Sequence, residues 1–168
     1  MWHVMQVKSG KEEDILRLIE RALAGEFIVQ CFLPYYERKR KYRGIWRVEQ
    51  AVLFPGYVFV ETDNIKELYF ALKEIPELTK VLRAEDAWLP LYAEEEDFLK
   101  RLMGEERVVR LSKGYIEGEK VIIKEGPMQG LEGMLRKIDR HKRIAIIEAE
   151  LFMRKVEVSI GLEIVEKR

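Results

Sequence analysis

The stretch Leu53-Phe54-Pro55-Gly56-Tyr57-Val58-Phe59-Val60 decides how the chain is read. Proline fixes φ and glycine tolerates positive φ, so Phe54 to Tyr57 reads as a tight turn. The β-favouring residues that follow read as a strand from Tyr57 to Glu61. Alternation puts Tyr57, Phe59 and Glu61 on one face and Val58 and Val60 on the other. If the valines pack beneath a helix, the two aromatics either meet a second layer or wait for a partner.

Working outward, Trp2 to Val7 reads as an opening strand. Ser9 with Glu12 three residues on reads as a capping box that starts a helix carrying Ile15, Leu16, Ile19, Ala22 and Leu23, ended by Gly25. Phe27 to Leu33 suits a second strand. The charged run from Glu37 to Gly44 is too polar to bury and suits a projecting hairpin tip, from which Ile45 to Val52 returns to the sheet. Asn64 caps a second helix with Ile65, Leu68, Tyr69 and Leu72, stopped near Pro76. Leu78 to Arg83 suits another strand. Glu94 to Asp97 open a third helix, where acids favour the positive helix end. The order predicts an α+β layer, an antiparallel sheet partly covered by helices.

Periodicity then fades, and 105–116 reads as a linker between a domain at 1–104 and a second at 117–168. In the second, Val121-Ile122-Ile123, Gly130 to Ile138, Ile144 to Ala149, Lys155 to Val158 and Leu162 to Val165 are short, closely spaced strands. Without helices between them they suggest a small five-stranded β-barrel.

The totals set limits. The chain has 168 residues, 36% of them charged and 48% hydrophobic, which suits a globular protein with a real core. Thirty basic residues balance thirty acidic ones, so any affinity for nucleic acid has to come from local clustering. A single cysteine, Cys31, excludes an internal disulfide framework and a Cys-rich zinc site and fits a cytoplasmic protein. No targeting segment or membrane-length apolar run is seen. Catalysis finds no support: His3 and His141 lie far apart, and no phosphate-cradling loop or nucleophile elbow occurs. The reading is a non-enzyme without cofactor or metal.

Charge does cluster. Arg38, Lys39, Arg40, Lys41, Arg43 and Arg47 are interleaved with Tyr36, Tyr42 and Trp46. Cations neutralise phosphate and rings stack on unpaired bases, so this pattern suits RNA or single-stranded DNA, although a solvated loop would look similar. A second cluster, Arg136, Lys137, Arg140, His141, Lys142 and Arg143, falls at a turn between two barrel strands, with Arg154 and Lys155 as possible neighbours.

Two resemblances join these parts. Glu125-Gly126-Pro127-Met128-Gln129-Gly130-Leu131-Glu132-Gly133, with Val121, Ile123, Met134, Leu135 and Ile138 around it, resembles the KOW motif of SH3-like barrels. Trp2, Ser9-Gly10-Lys11-Glu12 and the Leu53–Val60 stretch resemble the N-terminal domain of the NusG family in order and spacing. The family resemblance implies a transcription elongation factor that rides on RNA polymerase and docks on the clamp of the largest subunit. By position, it assigns the docking to Tyr57 and Phe59, with Val81 and Leu82 as further candidates. The basic stretches resemble the specialised paralogs, the LoaP group in particular. That implies processive antitermination and binding of a leader RNA hairpin by Arg38, Lys39, Arg40, Lys41, Arg43, Arg47, Lys137, Arg140, Lys142 and Arg143. The protein is expected to act as a monomer off the membrane. The alternatives are a housekeeping adaptor, whose barrel binds a ribosomal protein or termination factor without specific RNA binding, and a ribosome-associated KOW protein.

Overall fold

The turn at Pro55-Gly56 ties the first sheet to the first helix. In the computed structural model, which describes residues 1–23, 30–76 and 88–168, Tyr57 N–H donates to Phe54 O at 3.2 Å. Gly56 takes φ +86, the positive value that the third position of a type II turn requires. Both backbone groups of Gly56 are held. Its carbonyl accepts Val7 N–H at 2.9 Å, and its N–H donates to Glu12 Oε1 at 2.7 Å. Glu12 also accepts Gly10 N–H at 3.0 Å and is buried. The pairing of Ser9 with Glu12 is therefore not a capping box. Helix α1, Glu12–Ala22, starts after Lys11 with no side-chain cap, and its carboxylate is used across the fold instead.

Two compact units result: Met1–Leu33 with Phe54–Glu96, and Pro34–Leu53 with Asp97–Arg168. The first holds a four-stranded sheet in the order β2 (Gln30–Phe32), β5 (Tyr57–Glu61), β1 (Trp2–Gln6), β6 (Trp88–Pro90). Neighbouring strands of this sheet pair antiparallel, with Val4 and Phe32 both opposite Phe59, one on each side. Helix α2, Ile65–Lys73, buries Leu68 and Leu72, while α1 buries Ile15 and Ile19.

β5 is an interior strand covered on both faces. Val58, Phe59 and Val60 have no exposed surface, and Tyr57 keeps 7%. Phe59 sits among Phe32, Phe54 and Trp2 with ring centroids 5.4, 5.5 and 6.2 Å away. Of the two destinations open to these aromatics, they have taken the second layer. Aromatic rings bury a large apolar area, and the sheet face offers it here.

The second unit is built from distant parts of the chain. Strands β3 (Tyr35–Tyr42) and β4 (Ile45–Val52) form a hairpin, and β7 (Val108–Val109) adds in parallel to β3. Helix α3, Ala93–Met103, precedes it, with Leu99, Leu102 and Met103 buried. A five-stranded sheet follows in the order β10 (Leu135–Asp139), β11 (Ile144–Leu151), β12 (Arg154–Lys167), β8 (Ser112–Glu117), β9 (Lys120–Glu125). The α+β layer with a small KOW-type barrel is thus the architecture, with two changes of detail. The stretch 105–116 is not a plain linker, since β7 and most of β8 lie in it. The two last strands expected are one: β12 runs unbroken through Gly161, pairing with β11 up to that glycine and with β8 from Leu162 onward.

Gly126 and Pro127 close the barrel beside β8. Gly126 takes φ +102 at a point where an added methyl would lie 2.6 Å from Ser112, and Ser112 Oγ accepts Met128 N–H at 3.1 Å. Met128, Ile147, Ile160 and Leu162 are fully buried around it. The glycine-proline pair is there because only a residue without a side chain fits against Ser112. Among the described residues no helix is long and apolar enough to cross a membrane.

Candidate nucleic-acid interface

The hairpin tip is a two-residue loop. Tyr42 pairs with Ile45, and Arg43 and Gly44 between them take φ +48 and +82. Two successive positive φ values mark the turn whose twist suits a hairpin. From the tip, register sorts the cations onto two faces. Arg38 and Arg40 lie with Glu49 and Arg47, while Lys39 and Lys41 lie with Val48 and Trp46. Arg40 stands directly across from Arg47, and like charges so placed repel. Glu49 relieves part of this, accepting Arg38 Nε at 2.8 Å and lying 3.7 Å from Arg40. Burial lowers the Arg38 pKa, but the hydrogen bond to Glu49 and the nearness of Tyr36 outweigh it and the net shift is upward. Arg47, Lys41 and Arg43 have no acid partner among the described residues.

The second cluster meets the first. Glu163 on β12 is side-chain buried to 16% exposure and lies 2.6 Å from Lys39 Nζ and 3.3 Å from Arg143. The Arg143 guanidinium lies over the Trp46 ring, 3.7 Å from its centroid. Arg38, Lys39, Arg40 and Lys41 from the hairpin, and His141, Lys142 and Ile144 from the barrel, line one groove of about 570 Å³ with Trp46 at its side. The turn is held by Asp139, which accepts Lys142 N–H at 2.9 Å.

Burial raises the Glu163 pKa, but the hydrogen bond from Lys39 and the charges of Lys39, Arg143 and Lys113 bring it below the ordinary carboxylate value of 4.5. A depressed carboxylate stabilises the fold above its unfolded pKa, and that contribution is lost as pH falls through the folded value. The second unit should therefore melt at a lower temperature as pH drops below about 4.5, and Glu163→Gln should remove that part of the dependence. Thermal melts of both proteins from neutral to acid pH measure it; parallel curves would contradict the assignment.

The expected site residues fall unevenly. Arg38, Lys39, Arg40, Lys41 and Lys142 line the groove. Arg43 is at the tip and Arg47 directly across from Arg40, both exposed, and Arg140 is exposed on the barrel turn. Arg143 is engaged with Trp46 and Glu163. Lys137 lines a separate cavity with Arg136, Val121 and Leu135. Arg154 and Lys155 pair with Leu151 and Glu150, at the end of β11 away from the turn. Tyr57 and Phe59 do not present a docking face, since interior packing takes their surface. Val81 and Leu82 lie outside the described residues, as do Gly25 and the expected strand from Leu78 to Arg83. Sequence reasoning missed Glu163, because a lone acid in an alternating strand looks solvent-facing and its partners are far off in the chain.

Burial first, then Glu20, pushes the Cys31 thiol up to about 12, so it carries no thiolate near neutral pH. Among the described residues no acidic, histidine and cysteine group could hold a metal.

Residues 1–100 match the family profile described as "Transcription termination factor nusG". The chain belongs to the NusG family. Members of this family are transcription factors, not enzymes. A "Transcription termination/antitermination protein NusG" from Halalkalibacterium halodurans is 27% identical over 175 residues, covering 99% of this chain and 97% of that protein. The protein of the same description from Rickettsia felis is 25% identical over 171 residues, covering 99% and 89%. Among solved structures, one described as "Domain interaction in Thermotoga maritima NusG" superposes with a TM-score of 0.57 at 22% identity, covering 95% of this chain and 92% of that one. That likeness establishes the NusG fold along nearly the whole chain.

Proposed function

We propose that this NusG-family protein is an elongation and antitermination factor that travels on RNA polymerase and grips RNA in the groove between hairpin and barrel turn. One observation carries the RNA half: basic clusters about a hundred residues apart in sequence line a single groove, with Trp46 beside it. Folding brings them together despite repulsion, and phosphate is the partner that relieves such a field. Family membership supports polymerase binding, which we place on the first unit and on the clamp of the largest subunit. Because Tyr57 and Phe59 are interior, docking would use the exposed rim of that unit. Within the family, this reading makes the protein a specialised form similar to the LoaP group, bound to a leader RNA hairpin.

The test is a titration of the purified protein with leader RNA at rising salt. With about four phosphates neutralised, affinity should fall on the order of a hundredfold between about 50 and 200 mM salt. Replacing Arg40, Arg43 and Arg47 together by Ala should flatten that slope and leave polymerase binding in place. Absence of binding at low salt would overturn the RNA half. It would favour a housekeeping adaptor whose barrel binds a ribosomal protein or termination factor.

A further inference from the structure

A groove that binds phosphate alone needs neither an indole nor an isoleucine, yet this one has both. Three aromatics are interleaved with the hairpin cations, and the fold treats them differently. Tyr36 is buried, Tyr42 is 58% exposed near the tip, and only Trp46 lines the groove. Its indole is not loose. Arg143 lies over one face of the ring at 3.7 Å, and Glu163 holds Arg143 at 3.3 Å, so the platform is set before any ligand arrives. Preorganisation of this kind removes an ordering cost from binding.

The same groove is lined by apolar Ile144, by Lys41 directly across the hairpin from Trp46, and by Lys142 on the barrel turn. An apolar wall, a fixed aromatic and flanking cations are what a base and its two phosphates require. The volume, about 570 Å³, suits one nucleotide and not a helix. Bases inside an A-form stem are stacked and shielded in a deep groove, so a side chain such as Trp46 reaches only a base that is unpaired.

We propose that Trp46 is the stacking platform for one unpaired base of the bound RNA, with Lys41 and Lys142 holding the phosphates on either side. The subsite rests on the RNA reading given above, and adds that a loop or bulge, not the stem, carries the recognition.

Three RNA probes at one salt concentration test it: a blunt duplex, the same stem closed by an unpaired loop, and a single-stranded oligouridylate. The wild-type protein should prefer the looped probe over the duplex by about tenfold, the size of one stacking contact. Trp46→Leu should bring that ratio close to one, and Trp46→Phe should restore part of it. A fluorescent adenine analogue in the loop should be quenched on binding, which reads stacking in the unmodified protein whether or not the variants fold. Equal wild-type affinity for duplex and loop, or an unquenched loop, overturns the subsite while leaving RNA binding intact. Failure to bind any probe overturns the RNA reading itself.

Discussion

Phe59→Ala should destabilise the first unit by about 3–5 kcal/mol, the range for emptying a buried aromatic site. The value is set by how little the surroundings can close in. Phe59 has no exposed surface and lies on an interior strand, and Trp2, Phe32 and Phe54 pack around it as rigid rings. Such neighbours cannot spread to fill a void, so the cavity cost adds to the lost transfer energy. Phe59→Leu keeps most of the volume and should lose about 1.5 kcal/mol or less. Urea unfolding of both variants measures the difference, and a fully stable Phe59→Ala protein would refute the interior placement. The result bears on how polymerase binding is tested. Loss of binding in Phe59→Ala would report a damaged unit, so the docking surface has to be probed at exposed positions such as Phe70 or Tyr92.

Gly161→Ala should part the hairpin from the barrel. A methyl group on Gly161 would lie 2.2 Å from the Glu37 carbonyl oxygen and 2.6 Å from Leu111 Cδ1. The leucine end can move. The carbonyl belongs to β3, which is held to β4 and β7, so relief requires the hairpin to shift as a body. Overpacking of this kind typically costs about 1–3 kcal/mol. Displacement would also separate Lys39 from Glu163 and Trp46 from Arg143. The two basic clusters would then act as linked rather than fused sites, and RNA affinity should fall by about a hundredfold as their effective concentration drops. Gly133→Ala is the control, because nothing lies within 4 Å of a methyl group there. RNA titration and thermal melting of the two variants make the comparison; equal behaviour would show that β12 does not seat the hairpin.

The local chemistry was legible in the sequence and the long-range chemistry was not. Pro55-Gly56 announced its turn, because backbone freedom is written in those two residue types. Alternation in β5 was plain, but which face stays open depends on what the rest of the chain lays over it, and Phe32 and Phe54 came to cover Phe59. Val108–Val109 went unseen, since two residues leave no period to read. Gly161 looked like a break because glycine usually punctuates strands, whereas here it admits the Glu37 carbonyl from another strand. The basic clusters were visible as charge. Their meeting around Glu163 was invisible, since it depends on a pairing that spans 124 residues.

That span gives the hairpin a history during synthesis. Lys39 leaves the ribosome well before Glu163 does, by about 6–25 s at about 5–20 residues per second for a separation of 124 residues. Throughout that interval the cationic ribbon lacks its seat on β12, while its tip charges are already displayed. Completion of β12 then restrains Lys39 and Arg143 by supplying an internal carboxylate. β12 is thus the strand that restrains hairpin charges made long before it.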